Sequence, residues 1–185
     1  MAKRALRIAV MLLLVGLVSA PVGAAATPTQ TEQSSGGHKL SWQDRRFMRQ
    51  AAQAGLFEVK KSKLALTRSH NRDVRQFAAQ MIRDHTKANR QLKRLAASKG
   101  VRLPHRPNAE QRRIIRRLSG LSGRHFDCAY MAVQVRAHLQ TIAIFLREVR
   151  HGRDPAVTAY AAMTLPVLRM HLHMARHTLH QLDCC

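Results

Sequence analysis

Four stretches of this chain, residues 42–69, 72–99, 122–151 and 155–182, repeat their apolar residues with a period near 3.6, and strand-like alternation is almost absent. Segments of roughly seven turns with that period form helices that bury one stripe and solvate the rest. Their boundaries carry matching punctuation. Asn71 and Asp154 suit the caps of the second and fourth segments, Pro155 suits a first helical position, and Gly100 and Gly152 stand where helix ends favour positive φ.

The first and last connections are a few residues long, so each joins an antiparallel hairpin. The middle connection, GVRLPHRPNAEQRRIIRRLSGLSG, holds a cap at Asn108 and a short helix from about Ala109 to Leu118. It is long enough either to return at the same end or to cross the whole length, as ferritin-like folds do. The expected architecture is all-α: a four-helix bundle over residues 41–183, with a short extra helix in the linker between the second and third long helices. At 185 residues the chain suits one domain.

The first 26 residues stand apart from that core. Lys3, Arg4 and Arg7 precede an apolar run from Ile8 to Val18 and small residues around Ala24 to Ala26, the pattern of a cleaved secretory signal peptide. The run is shorter than the ~20 residues a membrane span needs. Residues 27–40, TPTQTEQSSGGHKL, read as a flexible polar leader. The mature chain is therefore expected in the periplasm or otherwise exported, with no transmembrane helix. Its cysteines, Cys128, Cys184 and Cys185, are odd in number. A bond within the adjacent pair is strained, which leaves a link from Cys128 to the tail or a bond between chains. Oligomeric state is not legible.

A formal charge of +22 attracts any polyanion. Export argues against a specific nucleic-acid partner and leaves anionic envelope surfaces, although cations scattered over every helix also fit a solvated surface without a partner. In QRRIIRRL, residues 111–118, four arginines surround Ile114, Ile115 and Leu118, a segment that either lies on an anionic membrane or caps the bundle.

The apolar stripes carry the chemistry. On the second segment the stripe runs Val74, Phe77, Met81, His85, Ala88, Leu92, with an imidazole on its centre line and Asp84 at its edge. Glu58 holds the corresponding place on the first segment, His138 on the third and His171 on the fourth. All four lie near mid-helix, and in an antiparallel bundle that is one layer. Burying titratable groups is costly unless they are paired, hydrogen-bonded or metal-bound. Glu58, His85, His138 and His171 therefore form a candidate site for one divalent transition-metal ion (Zn, Fe, Mn or Ni), with Asp84, Gln134 and Asp127 as outer partners that orient the rings. A purely structural polar network uses the same residues. Four residues of the tail, His173, His177, His180 and Cys184, share one helical face and form an alternative metal cluster.

Enzyme chemistry finds little purchase. Ferritin-like di-iron sites pair glutamates with Glu-x-x-His at mid-helix, and no such pair stands at the level of the three histidines. Glu148 lies two to three turns beyond His138. No Gly-x-Ser-x-Gly occurs, and Cys128 has only His125 nearby. The expected role is a non-catalytic envelope protein, with a metal-dependent oxidoreductase or a binder of envelope anions as alternatives.

The segments FEVKKSKLAL (57–66), VRQFAAQMIRDHTKANRQLKRLA (74–96), FDCAYMAVQVRAHLQTIAIF (126–145) and DPAVTAYAAMTLPVLRMHLHMA (154–175) together resemble the DUF4142 family of exported, ferritin-like helical-bundle proteins of unknown function. The resemblance implies the bundle and export and supplies no reaction. The chain departs from it at Ala137, where the family often carries an acidic residue before the third-helix histidine.

Overall fold

The computed structural model describes residues 40–184; the expected signal peptide, nearly all of the expected leader and Cys185 lie outside them. The fold is all-α. Five helices, α1 (Trp42–Arg68), α2 (Arg72–Ser98), α3 (Ala109–Ser119), α4 (Gly123–His151) and α5 (Pro155–Gln181), account for the described residues, with no strand among them. Each boundary falls within one residue of its expected place because the caps are local chemistry. Asn71 Oδ1 accepts from the Asp73 and Val74 N–H groups, and Asp154 Oδ1 accepts from those of Ala156 and Val157. Ser41 with Asp44, and Asn108 with Gln111, add reciprocal capping boxes.

Gly100 has the expected positive φ of 64°. Gly152 does not: its φ is −65°, which any residue can adopt. Space is what requires glycine there, since a Cβ would stand 2.5 Å from both Glu148 Oε1 and Thr158 Cγ2. A tertiary contact, not a turn, selects it.

Cross-helix contacts fix the chain path. Gln43 at the start of α1 donates to Glu148 near the end of α4, and Lys99 just past α2 pairs with Asp154 at the start of α5. Both of those helix pairs are antiparallel, as are the two hairpins, so α2 and α4 run in the same direction. The linker must then carry the chain the length of α2, roughly 40 Å at 1.5 Å per residue. Of the two routes open to it, it takes the crossing, and α3 packs on α1 and α4 along the way.

Two apolar clusters result. One gathers Phe47, Met48, Leu92, Phe145, Tyr160 and Leu168, with Phe47 and Phe145 edge to face at 4.9 Å. The other gathers Phe77, Met81, Leu118, Phe126, Tyr130 and Met131, closed off by a disulfide between Cys128 and Cys184. A belt of polar side chains separates them. α5 stays helical through Pro166. On α4 the buried series Gln134, His138, Thr141, Phe145, Glu148 keeps alternating steps of four and three, so Glu148 turns inward and the apolar Val149 beside it is left 41% exposed.

Glu148 is thereby buried beside Asp44, with Oε1 unpartnered. Burial, then Asp44 and Asp154, push its pKa up to about 7, against the Gln43 hydrogen bond. A carboxyl whose folded pKa lies above its unfolded value contributes stability that is complete below the ordinary carboxylate range and is lost as pH rises through 7. Glu148→Gln should therefore raise the thermal unfolding midpoint at pH 8 and change it little at pH 5. Equal shifts at both pH values would refute the buried protonated acid.

Candidate metal centre

The polar belt takes Glu58, Lys61 and Ser62 from α1, Asp84 and His85 from α2, Gln134 and His138 from α4, and His171 from α5. Each is held at mid-helix by apolar neighbours one turn away, such as Met81 before His85 and Leu168 before His171. The three imidazoles face one another. Their ring centroids are 5.3, 5.5 and 5.7 Å apart, and all three residues are buried.

Backbone and carboxylate partners decide which nitrogen of the His138 and His171 rings points inward. His138 Nδ1 donates to the Gln134 carbonyl at 2.9 Å, which leaves a lone pair on Nε2. His171 Nε2 donates to Asp84 Oδ2 at 2.8 Å, and Gln80 Nε2 steadies the same oxygen at 2.6 Å, so the lone pair of His171 is on Nδ1. His138 Nε2, His171 Nδ1 and His85 Nε2 are all buried without a hydrogen-bond partner. Burial pushes the His85 pKa down to about 3 and lowers those of His138 and His171, so the rings are neutral at neutral pH. Neutral imidazole is the ligating form.

One ligand atom from each ring lies within 4.8 Å of the other two. An ion about 2.0–2.1 Å from three nitrogens needs them roughly 3.4 Å apart, so closure asks each ring tip to move inward by under about 1 Å. Small χ adjustments accomplish that. The donor set, its tautomers and the hydrogen bond from His171 to a carboxylate all fit a three-imidazole metal site.

Glu58 stands beside this set, not in it. Its Oε2 is 2.6 Å from Lys61 Nζ, and its Oε1 is 4.0 Å from His138 Nδ1, the nitrogen turned away from the centre. Burial alone would raise its pKa, but Lys61, then His138 and His85, hold it down at about 2. Lys61 is itself fully buried, its ammonium donating to Gln134 Oε1 at 2.9 Å and lying 4.6 Å over the Phe57 ring. Burial lowers the Lys61 pKa and Glu58 opposes that shift. Gln134 Nε2 continues the network to Tyr130 Oη at 2.7 Å, which meets Ser62 Oγ at 2.8 Å.

The other expected residues sort plainly. Asp84 Oδ2 accepts from His171 Nε2, whereas Gln134 meets His138 through its backbone carbonyl and turns its side chain to Lys61 and Tyr130. Asp127 is buried but cannot, since eleven residues separate it from His138 on the same helix, roughly 16 Å along the axis. The tail cluster does not assemble. Cys184 is consumed by its bond to Cys128, while His173, His177 and His180 are exposed. Among the described residues, the group with ligand spacing is His85, His138 and His171. The chain does contain one Glu-x-x-His, Glu148 to His151, but at the far end of α4 with His151 exposed. Lys61 was missed by stripe counting; its signal is the three-residue step from Glu58, which puts a partner carboxylate one turn away.

A family model described as a domain of unknown function, DUF4142, matches residues 27–178. The chain belongs to the DUF4142 family. No curated protein matches it. The crystal structure of a DUF305 fragment from Deinococcus radiodurans is similar in fold, with a TM-score of 0.69 at 19% identity over 77% of this chain and 98% of that one.

In this DUF4142 protein the centre makes stability sensitive to acid. A histidine whose folded pKa is about 3 contributes stability that is complete above its ordinary value of 6.5 and is lost as pH falls toward 3. Glu58 adds to that loss as pH falls from 4.5 toward 2. His85→Leu should therefore lose less stability than the parent between pH 7.5 and pH 5 in urea titrations. Identical losses in both proteins would refute a neutral buried His85.

Proposed function

We propose that this DUF4142 protein is an exported, ferritin-like four-helix bundle that holds one divalent transition-metal ion on His85, His138 and His171. The carrying observation is the trio of buried, unpartnered ring nitrogens facing one another. A structural network would satisfy them, because unpaired buried acceptors are costly. Three neutral imidazoles suit Zn(II) or Ni(II) better than Mn(II). The crossing linker is the connectivity that ferritin-like folds use, which supports that assignment. Export draws support from the signal-like N-terminus and from the Cys128–Cys184 disulfide, which persists in oxidising compartments. No helix among the described residues is long and apolar enough to cross a membrane.

Binding is preferred to catalysis because both nearby carboxylates are engaged, Glu58 by Lys61 and Asp84 by His171 and Gln80. An oxidoreductase of the di-iron type would need those carboxylates as ligands. A role at anionic envelope surfaces draws on the exposed Arg113, Arg116 and Arg117 of α3, and predicts vesicle binding that falls steeply with salt.

Elemental analysis of the untagged mature protein loaded with Zn(II) is the test. About one equivalent is expected, lost in His85→Ala and kept in the triple variant His173→Ala, His177→Ala, His180→Ala. Asp84→Asn should weaken affinity by about tenfold or more, the usual cost of losing a ring-orienting carboxylate. Metal lost only in the triple variant would move the ion to the outer face of α5. No metal in any sample would leave a structural polar layer.

A further inference from the structure

The crease between α1 and α2 is bounded on its outer side by the first residues of the crossing linker. Two cavities lie in it, of about 480 and 640 Å³. Leu56, Asn89, Lys93 and His105 line both, so the two form one groove. Its ends differ in chemistry. The smaller cavity is walled by Ala52, Leu92, Ala96, Val101 and Leu103, which belong to the Phe47 cluster or pack against it. Around the larger one stand Lys60, Lys63, Arg90, Lys93 and Arg106, all exposed. No acidic residue lines either end, and none of these five cations forms an ion pair among the described residues. That sets the groove apart from the cavity beneath α3, whose wall mixes Glu58 and Glu110 with Arg117 and Arg136. On α1 the change runs along one helical face, from Ala52 through Leu56 and Val59 to Lys63, a span of roughly 16 Å.

We propose that this groove binds a single-chain phosphate amphiphile of the lysophospholipid class, with its acyl tail along Leu56, Ala96 and Leu103 and its phosphate among Lys60, Lys63 and Arg106. An inorganic anion would leave the apolar end facing water, and an uncharged apolar ligand would leave the five cations unanswered. A molecule with one apolar tail and one anionic head satisfies both ends, and cavities of this size are in the range that small ligands fill. Phosphate suits the basic end better than a carboxylate does, because it offers more acceptor oxygens and more charge, and an arginine fork can meet it with two parallel bonds. The groove is independent of the metal reading, since none of the three central histidines lines it.

The test is calorimetric titration of the full mature protein with dodecyl phosphate below its micelle concentration. Dodecyl phosphate should bind with about one equivalent, and decyl phosphate about tenfold more weakly for the two buried methylenes it lacks. Dodecyl maltoside and inorganic phosphate, which carry the tail or the head alone, should each bind more weakly by about tenfold or more. Ala97→Trp fills the apolar end from an exposed position, and the triple variant Lys60→Gln, Lys63→Gln, Arg106→Gln empties the basic end; each should weaken dodecyl phosphate by about tenfold. The triple variant Arg113→Gln, Arg116→Gln, Arg117→Gln on α3 removes the same charge elsewhere and should leave the affinity within about twofold. Circular dichroism checks that every variant is folded. Equal binding of dodecyl maltoside overturns the phosphate end. Equal weakening by the two triple variants overturns the location in favour of the overall charge of +22. Affinity untouched by Ala97→Trp, or no binding of dodecyl phosphate to the parent protein, overturns the groove as a ligand site.

Discussion

One buried ammonium governs the middle of this protein. Lys61 has no exposure to water, and an uncompensated charge in that position would cost several kcal/mol or more. It is compensated only if Glu58, one turn back on α1, and Gln134, across on α4, both reach it. That requirement fixes the register of α1 against α4. Gln134 then passes the order on, through its side chain to Tyr130 and Ser62 and through its carbonyl to His138. A wholly apolar layer would hold the two hydrophobic clusters together at least as well, so stability alone does not account for the layer.

The chain path supplies the remaining half. Because α2 lies against α5 in antiparallel register, Asp84 reaches His171, and the hydrogen bond between them turns the free nitrogen of that ring inward. His85, next in sequence to Asp84, points from the same helix into the centre. One residue on α2 therefore orients the imidazole of α5 while its neighbour supplies a second ring to the centre. Four helices contribute to the belt, and each contribution depends on the same mid-helix depth.

Much of this was legible in the sequence, and what was not has a common cause. Helix ends were readable because Asn71, Asp154 and Asn108 cap by bonds within three residues of themselves. His85, His138 and His171 were readable because an imidazole on an apolar stripe has nowhere to go but inward. Depth along a helix, however, does not name a partner. Glu58 read as a ligand and is instead the counter-ion of Lys61, a residue type that usually carries its charge to the surface. Asp127 shared the right face but lies three turns away, and Cys184, read also as a tail ligand, is taken up by the other role open to it, the link from the tail to Cys128. Gly152 read as a positive-φ glycine, but what selects it is crowding by Glu148 and Thr158 where α4 meets α5. Local chemistry was visible; long-range pairing was not.

The charge balance of the layer constrains what it can hold. Glu58 and Lys61 cancel, the three rings are neutral, and Asp84, partly exposed at the edge, is the remaining charge. A divalent ion on neutral imidazoles would therefore keep much of its charge uncompensated within an apolar surround, with the Lys61 ammonium nearby to oppose it. Two adjustments would restore balance: an anion accompanying the ion, or a Lys61 that gives up Glu58 to it. On the metal reading, an ion so opposed would be held loosely enough to exchange, because the charge beside it stays uncompensated in an apolar surround.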